Sequence, residues 1–134
     1  MSIRWFNLEP AERERVERIL AQLLTSEDKV ALAFLFGSFL EGGPFRDIDV
    51  AIWLAEEGEP VEAALYAEKL AARLTKAVGI PVDVAVINFG PGWLKHRALK
   101  SKPLVVKDEV AYAALWANVI DERLGLAYRE YAQE

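Results

Sequence analysis

The chain has 134 residues, of which 53% are hydrophobic, and its formal net charge at pH 7 is −5. This composition predicts one domain over residues 1–134 with a real core, and the acidic balance counts mildly against nucleic acid as a partner. The absence of cysteine excludes disulfides and thiolate metal sites, and the single histidine, His96, excludes zinc sites built on histidine clusters. Any metal must therefore be held by oxygen, which favours magnesium or manganese.

The location predicted from the sequence is the cytoplasm. The first ten residues lack the basic-then-apolar order of a secretion signal. The longest apolar run, Val30 to Gly37, is far shorter than the roughly 20 residues needed to cross a bilayer. We therefore expect a soluble protein with no membrane contact.

Periodicity and turn signals predict an alternation of helices and strands. The predicted helices are Pro10 to Leu24, Val61 to Val78 (ended by Gly79), Trp93 to Leu99, and a last one capped by Asp108 and running to about Tyr131. The predicted strands are Val30 to Phe36, Asp47 to Leu54, Ile80 to Ile87, and Pro103 to Val106, the last near an edge because of its proline. The charged face of the first helix, Arg13 included, is interpreted as solvated and ion-paired. The fold class is α/β.

The three main strands are predicted to share one design, with one bulky aliphatic face and one small face that carries carboxylates. Asp47 and Asp49 share the small face of the second strand, and Asp83 lies on that of the third. If the three carboxylates converge, neighbouring charges about 4 Å apart repel by about 4 kcal/mol at an effective dielectric of 20. A magnesium ion would remove this cost, since it takes oxygen ligands and is usually shared with substrate phosphates.

Gly37 and Ser38 end the first strand, where a glycine allows a ligand to approach the backbone closely and free amides can hold a phosphate. Alone, this pair is equally consistent with an ordinary strand-to-turn junction. A lone Asp-x-Asp is likewise consistent with a solvated strand end. Together, in this order and between apolar runs, the two motifs favour nucleotide chemistry.

Phe36-Gly37-Ser38, the Gly42-Gly43 loop, Asp47-Ile48-Asp49-Val50 and a later strand aspartate resemble the DNA polymerase beta-type nucleotidyltransferase superfamily. The resemblance implies a mixed sheet of about four strands flanked by helices on one face. It also implies magnesium, a nucleoside triphosphate such as ATP, and transfer of its nucleoside monophosphate to an acceptor. By motif position, Asp47 and Asp49 are metal ligands and Asp83 is the third carboxylate, which helps to activate the acceptor hydroxyl. Gly37, Ser38, Gly42 and Gly43 then belong to the triphosphate site.

The sequence departs from the family pattern around the loop before Asp47. The segment from Ser38 to Asp47 is shorter than the commonest spacing, and Arg46 replaces a frequent serine. Arg46 would either neutralise a phosphate or pair with Asp47 and fill the site.

The segments after Asp83 are similar to minimal nucleotidyltransferases encoded beside HEPN-domain toxins. That resemblance implies an antitoxin that transfers AMP to the partner toxin and silences its RNase activity. Two alternatives stay open at this point: a catalytically degenerate antitoxin that acts by binding, and a transferase for a small molecule such as an antibiotic. The apolar last helix further suggests a partner or a homo-oligomer; it carries Leu115, Trp116, Val119, Ile120, Leu124 and Leu126.

Overall fold

The computed structural model describes residues 4–132, with side chains described through residue 120. Its helices are α1 (Pro10–Ser26), α2 (Pro60–Val78), α3 (Gly92–Leu99) and α4 (Glu109–Ala132). Its strands are β1 (Val30–Phe36), β2 (Ile48–Leu54), β3 (Val82–Val86) and β4 (Lys102–Val106), and a 3₁₀ turn covers Ser38–Glu41. The predicted elements are confirmed, with boundaries that differ by about two residues at most.

The helix ends follow from local chemistry. Pro10 and Pro60 occupy first-turn positions, where a missing N–H costs nothing. Gly79 ends α2 at φ +72°, and its N–H donates to the carbonyl of Thr75 at 2.8 Å. Asp108 caps α4 as predicted, because its carboxylate accepts a hydrogen bond from the Ala111 N–H at 3.0 Å.

The strands form one four-stranded mixed sheet in the order β3-β2-β1-β4. β1 pairs antiparallel with both β2 and β4, whereas β2 and β3 run parallel. The mixed sheet expected from the motifs is therefore confirmed, and Pro103 lies on the edge strand β4 as predicted.

Helices cover both faces of the sheet, which corrects the expectation of helices on one face only. α1 and α2 pack on the bulky face of β2, while α3 and α4 cover the opposite face. The reason lies in β1, which presents Leu35 to the first face and the fully buried Leu32 and Phe34 to the second. Since each large side chain gains about 1.5–3 kcal/mol from burial, the second face also needs a cover.

α4 supplies part of that cover through Leu115 and Val119, which are buried, and Trp116, which packs beside them. Ile120 remains 50% exposed. Leu124 and Leu126 fall outside the described side chains, so self-association through this helix stays a prediction. Within the described residues, no helix is both long enough and apolar enough to span a membrane.

Candidate active site

Three aspartates meet at one end of the sheet. The register places Asp49 opposite Phe36 on one side and opposite Asp83 on the other, while Asp47 directly precedes β2. One carboxylate oxygen of each residue lies within 4.8 Å of the other two. Asp47 and Asp49 are half-buried, and Asp83 is exposed. The structure thus brings together the carboxylates that the sequence motifs singled out.

The electrostatics of this acidic cluster favour protonation. Partial burial, followed by the charges of Asp47 and Asp83, raises the pKa of Asp49 to about 6. The pKa of Asp83 is also raised, first by partial burial and then by the charge of Asp47 and a side-chain hydrogen bond to it. The acidic cluster therefore needs protons or cations to balance it.

Gly37 packs directly against the acidic cluster and has to be a glycine. Its φ is +86°, a backbone conformation that side chains disfavour, and a Cβ atom at this position would overlap Oδ2 of Asp49. The chain then turns into the 3₁₀ turn, whose first residue is the exposed Ser38. At Gly37 the backbone thus closely approaches the Asp49 carboxylate. The expected contact of Gly37 and Ser38 with a phosphate stays a prediction.

The loop that follows Gly37 is held from α1 by Arg13. The guanidinium donates hydrogen bonds to the carbonyls of Leu8 at 3.1 Å, Phe39 at 2.5 Å and Gly43 at 2.6 Å. It also lies over the rings of Phe39 and Phe45, 5.1 Å from each centroid. The interpretation of Arg13 as a solvated, ion-paired surface residue was wrong.

The helical period contained a signal that Arg13 faces inward. Position 13 lies three residues before Val16, so it shares the face of α1 that buries Val16, Leu20 and Leu24. The long side chain of Arg13 extends from this face to the loop carbonyls.

Gly42 and Arg46 belong to the rest of the loop before Asp47. Gly42 ends the 3₁₀ turn at φ +87°. Arg46 stacks over Trp5, with 5.2 Å between the guanidinium carbon and the ring centroid. Within the described residues, no ion pair joins Arg46 to Asp47. Asp47 and Arg46 instead border an open groove of about 750 Å³ that Arg4 also lines.

Arg97, on α3, is a further cation near the cluster. Its guanidinium lies 5.4 Å from the ring centroid of Phe36, the residue paired with Asp49. Its positive charge lowers the pKa of Asp49 and so offsets part of the rise caused by burial and by the other two aspartates. The structure places this exposed side chain beside the acidic cluster.

The sheet order, the converging carboxylates and the glycine beside them define a domain of the nucleotidyltransferase class. The family model described as "Polymerase beta, Nucleotidyltransferase" matches residues 18–110. This match covers more than half of the chain, so the chain belongs to that family. The superfamily resemblance indicated by the motifs is confirmed.

Several solved structures share the fold. One is described as a tri-AMPylated Shewanella oneidensis HEPN toxin in complex with MNT antitoxin, with 21% identity, coverage of 90% of this chain and 93% of that one, and a TM-score of 0.66. Another is the toxin–antitoxin MntA-HepT, with 21% identity, coverage of 89% and 93%, and a TM-score of 0.64. A third is a toxin–antitoxin with AMP-PNP, with 23% identity, coverage of 87% and 93%, and a TM-score of 0.67. No curated protein sequence matches the chain significantly.

Proposed function

We propose that the chain is a magnesium-dependent nucleotidyltransferase that moves AMP from ATP to a hydroxyl group of a partner HEPN toxin, and that it acts as the antitoxin of that pair in the cytoplasm. The observation that carries the proposal is the convergence of Asp47, Asp49 and Asp83 beside Gly37. The partner and the transferred group are suggested by the related structures, which are described as an AMPylated HEPN toxin with its MNT antitoxin and as a toxin–antitoxin with AMP-PNP.

The donor set fits a small, hard divalent cation. All three donors are carboxylates, and their oxygens lie within 4.8 Å of one another. A cation with bonds of about 2.1 Å holds neighbouring ligand oxygens about 3–4 Å apart, so small side-chain movements would close the site. Asp47, Asp49 and Asp83 would hold Mg²⁺ or Mn²⁺, which would supply charge neutralisation at the phosphates and activation of the attacking oxygen.

The nucleotide phosphates are proposed to lie along the Gly37-Ser38 step and the Gly42-Gly43 loop. Gly37 brings the backbone next to the acidic cluster, and the exposed Ser38 that follows adds a hydroxyl donor. Arg46, on the Asp47 side of the cluster, is proposed to contribute positive charge to the triphosphate.

Asp83 is proposed as the group that accepts the acceptor's proton. The hydroxyl oxygen attacks the α-phosphorus of ATP and forms a new P–O bond, while its proton passes to the Asp83 carboxylate. The bond from the α-phosphorus to the bridging oxygen breaks, and pyrophosphate leaves with the electron pair. Asp83 suits this role because it is the exposed member of the cluster, so an acceptor hydroxyl can approach its carboxylate.

The test is transfer of label from α-³²P-ATP to the HEPN protein encoded beside this chain, with magnesium present. We expect labelling by the wild type and by the control Asp28→Asn, an exposed aspartate at the opposite end of β1. Asp49→Asn and Asp83→Asn should reduce labelling by about 10²-fold or more.

The two competing functions give different results in the same assay. A degenerate antitoxin would neutralise the toxin equally well with Asp49→Asn, and no label would move. A small-molecule transferase would leave the HEPN protein unlabelled but would modify an antibiotic such as an aminoglycoside. Either result would refute the proposal.

A further inference from the structure

β3 is an edge strand with unpaired backbone groups. Its parallel ladder with β2 uses alternate residues: the Ile48 N–H donates to Pro81 at 2.9 Å, and the Ile87 N–H donates to Ile52 at 3.0 Å. The intervening residues of β3 therefore direct their N–H and C=O groups away from the sheet. The first of them, Val82, donates its N–H to Thr75 Oγ1 at 2.9 Å.

The next two outward-facing residues, Val84 and Val86, have no such cap. Among the residues that the structure describes, no side chain or loop backbone pairs with their outward groups. Proteins usually protect such an edge, because it is a template for another strand. Two consecutive outward positions are enough to register an added strand.

A groove of about 580 Å³ runs along this edge between β3 and α2. Its α2 wall consists of small side chains, which leave room for a second backbone; they are Pro60, Ala63, Ala64, Ala67 and Ala71. One end of the groove reaches Asp83, and its lining also includes Phe89, which is 41% exposed. The charged residues of its lining, Asp83 and Glu68, are both acidic.

We propose that the acceptor segment of the partner protein binds as an extended strand along the free edge of β3. This inference rests on the proposed function and specifies how its acceptor is presented. The residue of the added strand opposite Asp83 lies on the same face of the sheet, with about 5 Å between the Cβ atoms. A hydroxyl side chain at that register reaches the carboxylate, and the acidic lining selects a segment with basic flanking residues.

A second copy of this chain is a poorer occupant for the same edge. β3 has five residues and is therefore about 17 Å long. Strand pairing between two copies would bring two acidic clusters, and two grooves whose charged lining residues are acidic, within roughly that distance. A basic acceptor segment brings the opposite sign.

The first test fills the groove from α2. Ala64 is exposed and lines the groove, whereas Ala72 is exposed on the same helix but does not line it. We expect Ala64→Tyr to reduce kcat/KM for AMP transfer to the partner by at least about tenfold, mainly through KM, because the ring occupies the path of the added strand. The matched control Ala72→Tyr should behave as the wild type, and both should bind AMP-PNP with magnesium equally well. Equal transfer by the two variants would overturn the proposal.

The second test needs no variant. Amide hydrogen exchange at Val84 and Val86 should slow by at least about tenfold when the wild-type partner is bound, since an added strand accepts hydrogen bonds from both amides. Unchanged exchange in a formed complex would overturn the proposal. If protection of these two amides from exchange instead rises with the concentration of this chain in the absence of the partner, a second copy binds the edge. That result would also overturn the proposal.

These results separate the two proposals. If the wild type transfers AMP while exchange is unchanged and Ala64→Tyr is active, the strand-addition inference fails and the proposed function stands. If the wild type transfers no AMP to the partner, the proposed function fails whatever the exchange shows.

Discussion

Asp49→Asn should change the pH dependence of folding stability in the metal-free protein. The pKa of Asp49 is raised from 3.8 to about 6, so the folded state holds this proton over a range in which the unfolded state releases it. The stabilisation from the protonated group is complete below about pH 3.8 and is lost as the pH rises through about 6. Asparagine has nearly the same shape as aspartate but no charge, so the variant should not lose this folding stability as the pH rises.

The size of the effect follows from the geometry. Two unit charges 4.8 Å apart repel by about 3.5 kcal/mol at an effective dielectric of 20, which would give about 7 kcal/mol for two neighbours. A pKa raised to about 6 corresponds to only about 3 kcal/mol, at about 1.4 kcal/mol per pH unit. The figure of about 3 kcal/mol is the better one, because Asp83 is exposed and solvent weakens its repulsion of Asp49. Further screening by solvent reduces the expected loss of folding stability to about 1–2 kcal/mol.

The assay is urea unfolding followed by tryptophan fluorescence, in EDTA, at pH 4 and pH 7.5. The difference in unfolding free energy between Asp49→Asn and wild type should shift by about 1–2 kcal/mol in favour of the variant between the two pH values. Asp28→Asn, the control from the far end of β1, should show no such shift. Adding magnesium at pH 7.5 should stabilise the wild type more than Asp49→Asn. A pH-independent difference, or equal stabilisation by magnesium, would refute the reasoning.

Three further substitutions test the groups that hold the site in place. Gly37→Ala should destabilise the fold by about 1–3 kcal/mol in thermal unfolding and abolish AMP transfer, because φ +86° is strained for alanine and its Cβ displaces Asp49; a fully active variant would contradict this. Arg13→Lys should raise the KM for ATP several-fold and lower stability by about 1–3 kcal/mol, since an ammonium cannot reproduce the fork that holds the loop carbonyls; an unchanged KM would show that the loop does not need this anchor. Asn88→Ala should cost about 2–4 kcal/mol in urea unfolding, because it leaves the N–H and C=O of Leu54 unpaired in the core, but activity per folded molecule should be retained; loss of activity in the folded variant would contradict a purely structural role.

The acidic cluster was predicted from two sources, the strand period and the resemblance to the nucleotidyltransferase superfamily. The period places Asp47, Asp49 and Asp83 on the face of each strand opposite the bulky residues. The period does not set the order or the register of the strands, so the meeting of the three carboxylates was implied by the resemblance. The structure supplies the register, with Asp49 opposite Asp83 in the parallel pair.

Features that depend on tertiary contacts escaped prediction. The charged face of α1 looks uniform in the sequence, and only the fold shows that Arg13 meets carbonyls 26 and 30 residues away. Likewise, a proline indicated that β4 lies at an edge, but no such signal was found for β3, so the unpaired edge of β3 is visible only in the sheet order. The helices on the second face of the sheet were not predicted. The reason is that β1 carries large side chains on both faces, and a period of two then does not show which face packs against helices.

The position of Arg46 bears on whether the site is built for catalysis or only for binding. An arginine placed among the three carboxylates would neutralise them and stabilise the fold, which a purely structural role would favour. Arg46 instead stacks on Trp5. The acidic cluster keeps its mutual repulsion, while Gly37 and the loop held by Arg13 fix the backbone around it. This repulsion destabilises the folded state, so a ligand that neutralises the carboxylates would stabilise it. The repulsion within the metal-free cluster is therefore the physical basis on which we propose that the site binds a divalent cation with a nucleotide.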